Sequence, residues 1–323
     1  MDTRVLELIC SVAPAKLILL GEHFVVMDKP AIATAINLYA RVCIEENDRF
    51  VVISEELGEK IYLDNQGIPE KYSQFKLITD LVASKTNKYR KFKATISSAI
   101  PPSSGLGSSA ATAVAFIHAL YRFYGVNPSL DEVNSVAFEA EKVVHGKPSG
   151  VDNTVSTYGG LIYYKKGLVK RLDINWPDDL NLVVVDTGVK RNTGVVVRNV
   201  LKLYGSDDVF IDIYGVAEKI VDKAWRALEK GDFDKLPVLI NVNHGLLVSI
   251  NVSTVETEYA IHKLREAGAL ASKISGAGMG GVVYGLFKGS IDYNILDRFF
   301  KSRGFKYYVV KPVNRGVFPS DSS

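Results

Sequence analysis

The stretch PPSSGLGSSAA (residues 101–111) joins two clear patterns. Before it, residues 91–97 alternate like a strand, with Phe92, Ala94 and Ile96 on one face. After it, residues 109–124 place Ala113, Phe116, Ile117, Leu120 and Tyr124 at the spacing of one apolar helix face, and Gly125 supplies a stop. Small residues ahead of a helix let the backbone approach a ligand closely. The unpaired amides of the first helical turn then face that ligand with the positive end of the helix dipole. The adjacent hydroxyls of Ser108 and Ser109 can donate to phosphate or ligate a metal ion through oxygen. The stretch reads as a phosphate cradle, against the plainer alternative of a small-residue turn with an N-cap serine. It is not a Walker loop, because no lysine follows the last glycine.

Three other segments carry chemistry. HGKPSGVDN (145–153) follows a helical pattern over 130–145, capped by Ser129 with Glu132 three residues on. It reads as a Gly/Pro/Ser loop that can aim the Asp152 carboxylate into a cleft, with Glu141 late in the preceding helix. Two carboxylates beside a phosphate cradle suit a division of labour, one for magnesium and one for an acceptor hydroxyl. Taken alone, the pair also reads as a solvated Glu and an Asx-turn Asp. In APAKLILLGEHFVV (13–26), Lys16 interrupts an apolar run and needs an anion, which Asp152 or a phosphate would supply. Glu22 and His23 follow at a glycine turn. ISGAGMGG (274–281) matches GxGxxG through Gly276, Gly278 and Gly281. A dinucleotide fold needs a helix after that motif, whereas VVYGLF follows here as a strand pattern, so a nicotinamide site is rejected. The loop still exposes amides to a phosphate or carboxylate.

The rest of the chain gives an α+β alternation. Strands are predicted over 6–11, 16–20, 36–45, 50–54, 182–186 and 306–310, with a hairpin over 161–164 and 168–172. Helices are predicted over 211–229, 255–267 and 291–302, and a strand, glycine loop and strand over 272–287. The WPDD turn (176–179) is the candidate boundary between domains at 1–178 and 179–323, and the final PSDSS is expected to fray. At 323 residues, with 47% hydrophobic and 23% charged residues, the chain is neither disordered nor a coiled coil. A net charge of +3 gives no broad footprint for nucleic acid or membrane. Cys10 and Cys43, in apolar strand-like segments, read as buried free thiols that make no zinc site. HExxH and GxSxG are absent, and neither a signal peptide nor a membrane span is expected, so cytoplasm is the default compartment. Only two glutamines occur, Gln66 and Gln74, a bias that fits heat adaptation.

The four segments together resemble one family, the GHMP small-molecule kinases. The likeness covers nearly the whole chain, with APAKLILLGEHFVVMDKPAIATAI, PPSSGLGSSAA and KISGAGMGG in the family's order. Within the family, HGKPSGVDN followed by TVSTYGG, and NHGLLVSINVST (243–254), look most like the branch that phosphorylates mevalonate. Val25 stands where a galactokinase is expected to place an aspartate soon after GEH, and Asp152 separates the chain from homoserine kinases. Ala15 replaces a frequent family glycine, and Met279 and Val282 stand where glycine and cysteine are common.

The resemblance implies a two-domain GHMP kinase fold. Its N-terminal domain would be ribosomal-S5-domain-2-like with a left-handed βαβ unit, and its C-terminal domain a ferredoxin-like α/β sandwich. It implies ATP and Mg²⁺, with Asp152 and Lys16 catalytic and Ser109 and Glu141 on the metal. The triphosphate would lie on Pro102, Ser103, Ser104, Gly105, Leu106, Gly107, Ser108, Ser109 and Ala110. Glu22, His23, Arg191, Thr193, Gly276, Ala277 and Gly278 would join Lys16 and Asp152 around mevalonate. A homodimer is the assembly it implies. A kinase for phosphomevalonate or a sugar, and a non-catalytic ligand sensor of the same fold, are the alternatives.

Overall fold

The structure, a computed structural model, describes residues 8–102, 104–145, 150–190 and 192–320, with the side chains of 143–145 left aside. Residues 9–11 of the first apolar run and the run 16–20 belong to one strand, β1 (Ile9–Leu20), because the intervening Val-Ala-Pro-Ala stays extended, while residues 6 and 7 lie outside the described residues. The pairing register shifts between Pro14 and Ala15, which accommodates a residue that has no amide hydrogen to donate. β1 pairs with the long β2 (Ala31–Glu46). Gly21 makes the turn between them at φ 96°, where a Cβ would sit 2.4 Å from the Pro30 carbonyl oxygen.

β3 (Val51–Ser54), β4 (Glu59–Tyr62), α1 (Glu70–Thr86) and β5 (Phe92–Ser98) follow, with β3 and β5 parallel. Next come α2 (Ser108–Phe123), α3 (Leu130–His145), α4 (Val151–Tyr158) and the hairpin β6 (Leu161–Lys165) and β7 (Leu168–Leu172). Ser129 and Glu132 cap α3 reciprocally, as their spacing predicts.

The chain then passes to a second sheet through β8 (Leu180–Asp186), α5 (Thr193–Tyr204), α6 (Asp208–Glu229), α7 (Leu236–Ser249) and α8 (Val255–Glu266). β9 (Ala271–Ser275), β10 (Val282–Lys288), α9 (Tyr293–Phe300) and β11 (Lys306–Val310) complete that half, before β12 (Phe318–Ser320) returns to the first sheet beside β1. Among the described residues, the first sheet runs β12-β1-β2-β5-β3-β4, with β6 and β7 branching from β2. The second runs β11-β8-β10-β9 with antiparallel neighbours, the strand order of a ferredoxin-like layer. No helix of the described residues is long and apolar enough to cross a membrane.

Three expectations need correction. Phe318–Ser320 is a strand rather than part of a frayed tail, and only 321–323 lie outside the described residues. Four helices, α1, α4, α5 and α7, escape the periodicities. α7 is apolar almost all round, with Val238, Val242 and Val248 exposed, and α5 opens with three β-branched valines, which favour strands over helices.

The third correction concerns the cysteines. Cys10 and Cys43 are not free thiols; they oppose each other across β1 and β2 and form a disulfide, with Cα atoms 4.0 Å apart. Strand register, which the sequence does not display, brings them together. Chain entropy for a loop closed over 33 residues of separation sets the bond's contribution at up to about 4 kcal/mol. Denaturant unfolding of Cys10→Ser/Cys43→Ser is expected to show a loss of that order, which added reductant should reproduce in the native protein.

Candidate active site

β1 enters the first core under α2, and Lys16 lies along it with only 5% of its surface exposed. Its backbone amide donates to the Leu106 carbonyl at 2.9 Å, which fastens the loop 101–107 to the strand. Inside that loop, the Ser104 hydroxyl is buried and donates to Pro101 O at 2.8 Å, so it braces the turn. Gly107 ends the loop at φ 75°, and a Cβ there would meet Lys16 Cγ at 2.9 Å and Asp152 Oδ2 at 3.4 Å. Glycine is therefore what lets the loop backbone press against Lys16 and Asp152. Ser108, Ser109 and Ala110 form the first turn of α2, whose amides have no partner within the helix and no capping side chain. The exposed Ser109 hydroxyl lies 3.4 Å from the Gln74 carboxamide of α1. Ser103 lies outside the described residues, and Pro102 is exposed beside them.

Asp152 does not stand on a loop as expected. It occupies the first turn of α4, which Gly150 opens at φ 77°. The helix presents its carboxylate to Lys16, with Oδ1 at 3.0 Å from Nζ and 29% of the Asp152 side chain exposed. A buried lysine thus has a partner that still reaches solvent.

Glu141, on α3, completes the group. Burial, helped by the negative charge of Asp152, pushes its carboxyl up to about 7, with Lys16 pulling the other way. Asn153, not singled out from the sequence, lies against it. With its carboxamide turned so that nitrogen faces the surrounding acceptors, Asn153 donates to Glu141 Oε2 and to Gly150 O, each at 3.0 Å. Its place one residue after Asp152 on the same short helix is the only signal the sequence offers.

The far end of β1 meets the second sheet. Ser275 Oγ accepts from Ile18 N at 3.2 Å and donates to Ile18 O at 3.0 Å. His23 Nε2 lies 2.7 Å from the Ala277 carbonyl oxygen, which joins the His23 turn to the glycine loop 276–281. Gly276 and Gly278 both have positive φ, and a Cβ on Gly278 would lie 2.3 Å from Val252 O. Met279 takes φ 54° where glycine is common in the family, and its amide donates to the same Val252 oxygen at 2.7 Å.

Glu22 is placed differently from its expected role beside a substrate. It is buried, and its two oxygens are taken by Lys273 and Asn243. Thr193 is the exposed first residue of α5, and the strand end leading to it is stitched to the glycine loop by Thr187 Oγ1 donating to Gly281 O at 2.9 Å. No described contact joins Thr193 to Lys16 or Asp152, and Arg191 lies outside the described residues.

The arrangement is that of an anion cradle, a lysine–aspartate pair and a third carboxylate on one side of a junction, with a histidine and a glycine loop on the other. Sequence comparison agrees. Residues 75–160 match the family described as GHMP kinases N terminal domain, and residues 225–303 match GHMP kinases C terminal. A mevalonate kinase of Aeropyrum pernix is 38% identical over 284 residues, covering 85% of this chain and 87% of the relative. This chain is a GHMP kinase.

Solved structures extend the likeness of this GHMP kinase over nearly its full length. The Methanococcus jannaschii mevalonate kinase superposes with a TM-score of 0.84 at 25% identity, covering 97% of this chain and 100% of that one. The L. major mevalonate kinase in complex with R-mevalonate gives 0.76 at 34% identity, covering 94% and 96%. The two-domain GHMP kinase fold expected from the motifs is therefore the fold observed.

Proposed function

We propose that this kinase transfers the γ-phosphoryl group of ATP to the 5-hydroxyl of mevalonate, giving 5-phosphomevalonate for isoprenoid biosynthesis. The observation that carries the reading is the Lys16–Asp152 pair held against Gly107 of the phosphate loop. The names of the relatives, and the mevalonate bound in one of them, supply the acceptor.

Transfer of a phosphoryl group demands alignment and neutralisation of charge more than covalent help. In this reading the acceptor oxygen forms a bond to the γ-phosphorus as the bond to the β-phosphate oxygen breaks, and ADP leaves. The hydroxyl proton goes to an Asp152 carboxylate oxygen. Lys16 pairs with that carboxylate and faces the charge on the transferring group. First-turn amides of α2, from Ser108 to Ala110, hold phosphate oxygens. His23 and Thr193 orient mevalonate, with Arg191 the partner for its carboxylate, and Gly276 to Gly278 close beside the reacting phosphate.

The residues present also fit magnesium. Glu141 and Asp152 repel each other across a space that Lys16 only partly neutralises. Magnesium takes oxygen ligands and usually keeps several sites for phosphate and water, so one carboxylate and one hydroxyl are a fitting protein share. Glu141 and Ser109 would hold it, and bound there it would neutralise developing phosphate charge. A proton on Glu141 competes with a cation for the same oxygens. The magnesium concentration for half-maximal rate should therefore rise as pH falls through about 7. Glu141→Gln should raise that concentration at every pH and flatten the dependence; an unchanged magnesium titration would contradict the assignment.

We place the division between the domains of the two sheets at 178/179, with β12 crossing back to the first sheet, and the compartment in the cytoplasm. A cytoplasmic disulfide such as Cys10–Cys43 is characteristic of heat-adapted proteins, in keeping with the scarcity of glutamine. No role for nucleic acid or membrane is proposed, and a homodimer is the assembly we propose. Incubation with mevalonate, ATP and magnesium should yield ADP and the 5-phosphate in equal amounts, read by phosphorus NMR. ADP formed without phosphorylated mevalonate would contradict the reading.

A further inference from the structure

Lys273 of β9 is a fully buried charge paired across the junction between the two sheets, at 0% side-chain exposure. Its ammonium meets the carboxylate of Glu22, itself 1% exposed, and donates to Ile274 O at 2.5 Å. It lies 5.4 Å from the centre of the Tyr284 ring, and the Tyr284 hydroxyl donates to Leu19 O at 2.8 Å. The second oxygen of Glu22 accepts from Asn243 Nδ2 at 3.2 Å, and Asn243 Oδ1 accepts from Gly21 N at 3.1 Å. Every member comes from one of two places. Leu19, Gly21 and Glu22 belong to the end of β1 and its turn, while Lys273, Tyr284 and Asn243 belong to β9, β10 and α7.

Cohesion is a poor explanation for such a pair. Desolvating two charges cancels much of their attraction, and apolar residues of similar volume often hold a core as well or better. Position explains it better. Glu22 directly precedes His23, and Lys273 lies three residues before Gly276. Those two segments meet at His23 Nε2 and Ala277 O, 2.7 Å apart. The ion pair therefore ties together, one and three residues upstream, the two acceptor-side segments that meet at that contact. None of its recorded partners is Lys16, Gly107 or Asp152, which form the nucleotide side.

We infer that Lys273 is a positioning residue for the acceptor. Through Glu22 it fixes the His23 turn against the glycine loop 276–281, and so sets the acceptor pocket without touching a reacting atom. The inference rests on the proposed assignment of His23 and that loop to mevalonate.

The test is a KM split. Lys273→Met alone leaves a buried carboxylate without a counter-charge and is expected to unfold more readily than the native enzyme. The double variant Glu22→Gln/Lys273→Met removes both charges and keeps an amide for Asn243. It is expected to melt within a few degrees of the native protein, with its KM for ATP within about twofold. Its KM for mevalonate should rise about tenfold or more. A folded double variant whose mevalonate KM stays within about twofold of native overturns the inference. So does a double variant that cannot fold, since the pair would then be supplying cohesion. Inability of the native enzyme to use mevalonate would instead defeat the acceptor assignment, a different failure that the native control shows by itself.

Discussion

Replacing Asp152 by alanine is expected to lower kcat by about 10³-fold while ATP affinity stays within about threefold. Positioned proton transfer accounts for part of this, since a side chain acting as base contributes typically about 10²- to 10⁴-fold. Loss of the partner of Lys16 accounts for more. Lys16 is 5% exposed and its ammonium meets Asp152 at 3.0 Å, so in the variant a buried cation loses its counter-charge. ATP binding should survive because the amides of α2 and the turn braced by Ser104 do not involve the Asp152 carboxylate. Steady-state kinetics together with calorimetric titration of ATP check both halves. A variant within about threefold of native kcat would remove Asp152 from the mechanism.

Lys16→Met should lower kcat by a similar factor, about 10²- to 10³-fold, for a complementary reason. Methionine keeps the stem that packs under Gly107, where Lys16 Cγ lies 2.9 Å from the position of a Cβ. What it removes is the charge facing the transferring group and Asp152. Because the Asp152 side chain is 29% exposed, water can solvate the carboxylate left behind, and the melting temperature should change little. Since the two residues act as a unit, the Lys16→Met/Asp152→Ala double variant should be scarcely slower than either single one. Additive losses would mean that the residues act independently, and that their ion pair has no part in catalysis.

Much of this site was legible as residue type and order. Lysine in an apolar run, glycines and serines before a helix, and an aspartate after a Gly/Pro/Ser stretch each carry a local physical demand. Those demands are met by one another here: Lys16 by Asp152, and the close approach of both by Gly107. What was not legible depends on distant pairing. The Cys10–Cys43 bond needs the β1–β2 register, and the burial of Glu22 needs Lys273, 251 residues away. Asp152 reads as a loop residue because Gly150 precedes it, whereas that glycine opens α4 in the left-handed region. The helices α5 and α7 go unpredicted for a related reason. Tertiary packing and the Asn192 cap outweigh a β-branched run in α5, and an apolar surround hides the helical period in α7. The closing strand β12 owes its existence to the exposed edge of β1 rather than to its own short sequence.

The central claim is a choice of acceptor on a GHMP scaffold. Its most direct test is a coupled measurement of ADP release with ATP and Mg²⁺ against mevalonate, phosphomevalonate, galactose and homoserine, at moderate and at high temperature. The account predicts turnover with mevalonate alone. Turnover with another alcohol in its place would leave the phosphate cradle standing and overturn the acceptor assignments of His23, Arg191 and Thr193. ATP binding without turnover of any of the four would contradict the reading of Lys16 and Asp152 as catalytic.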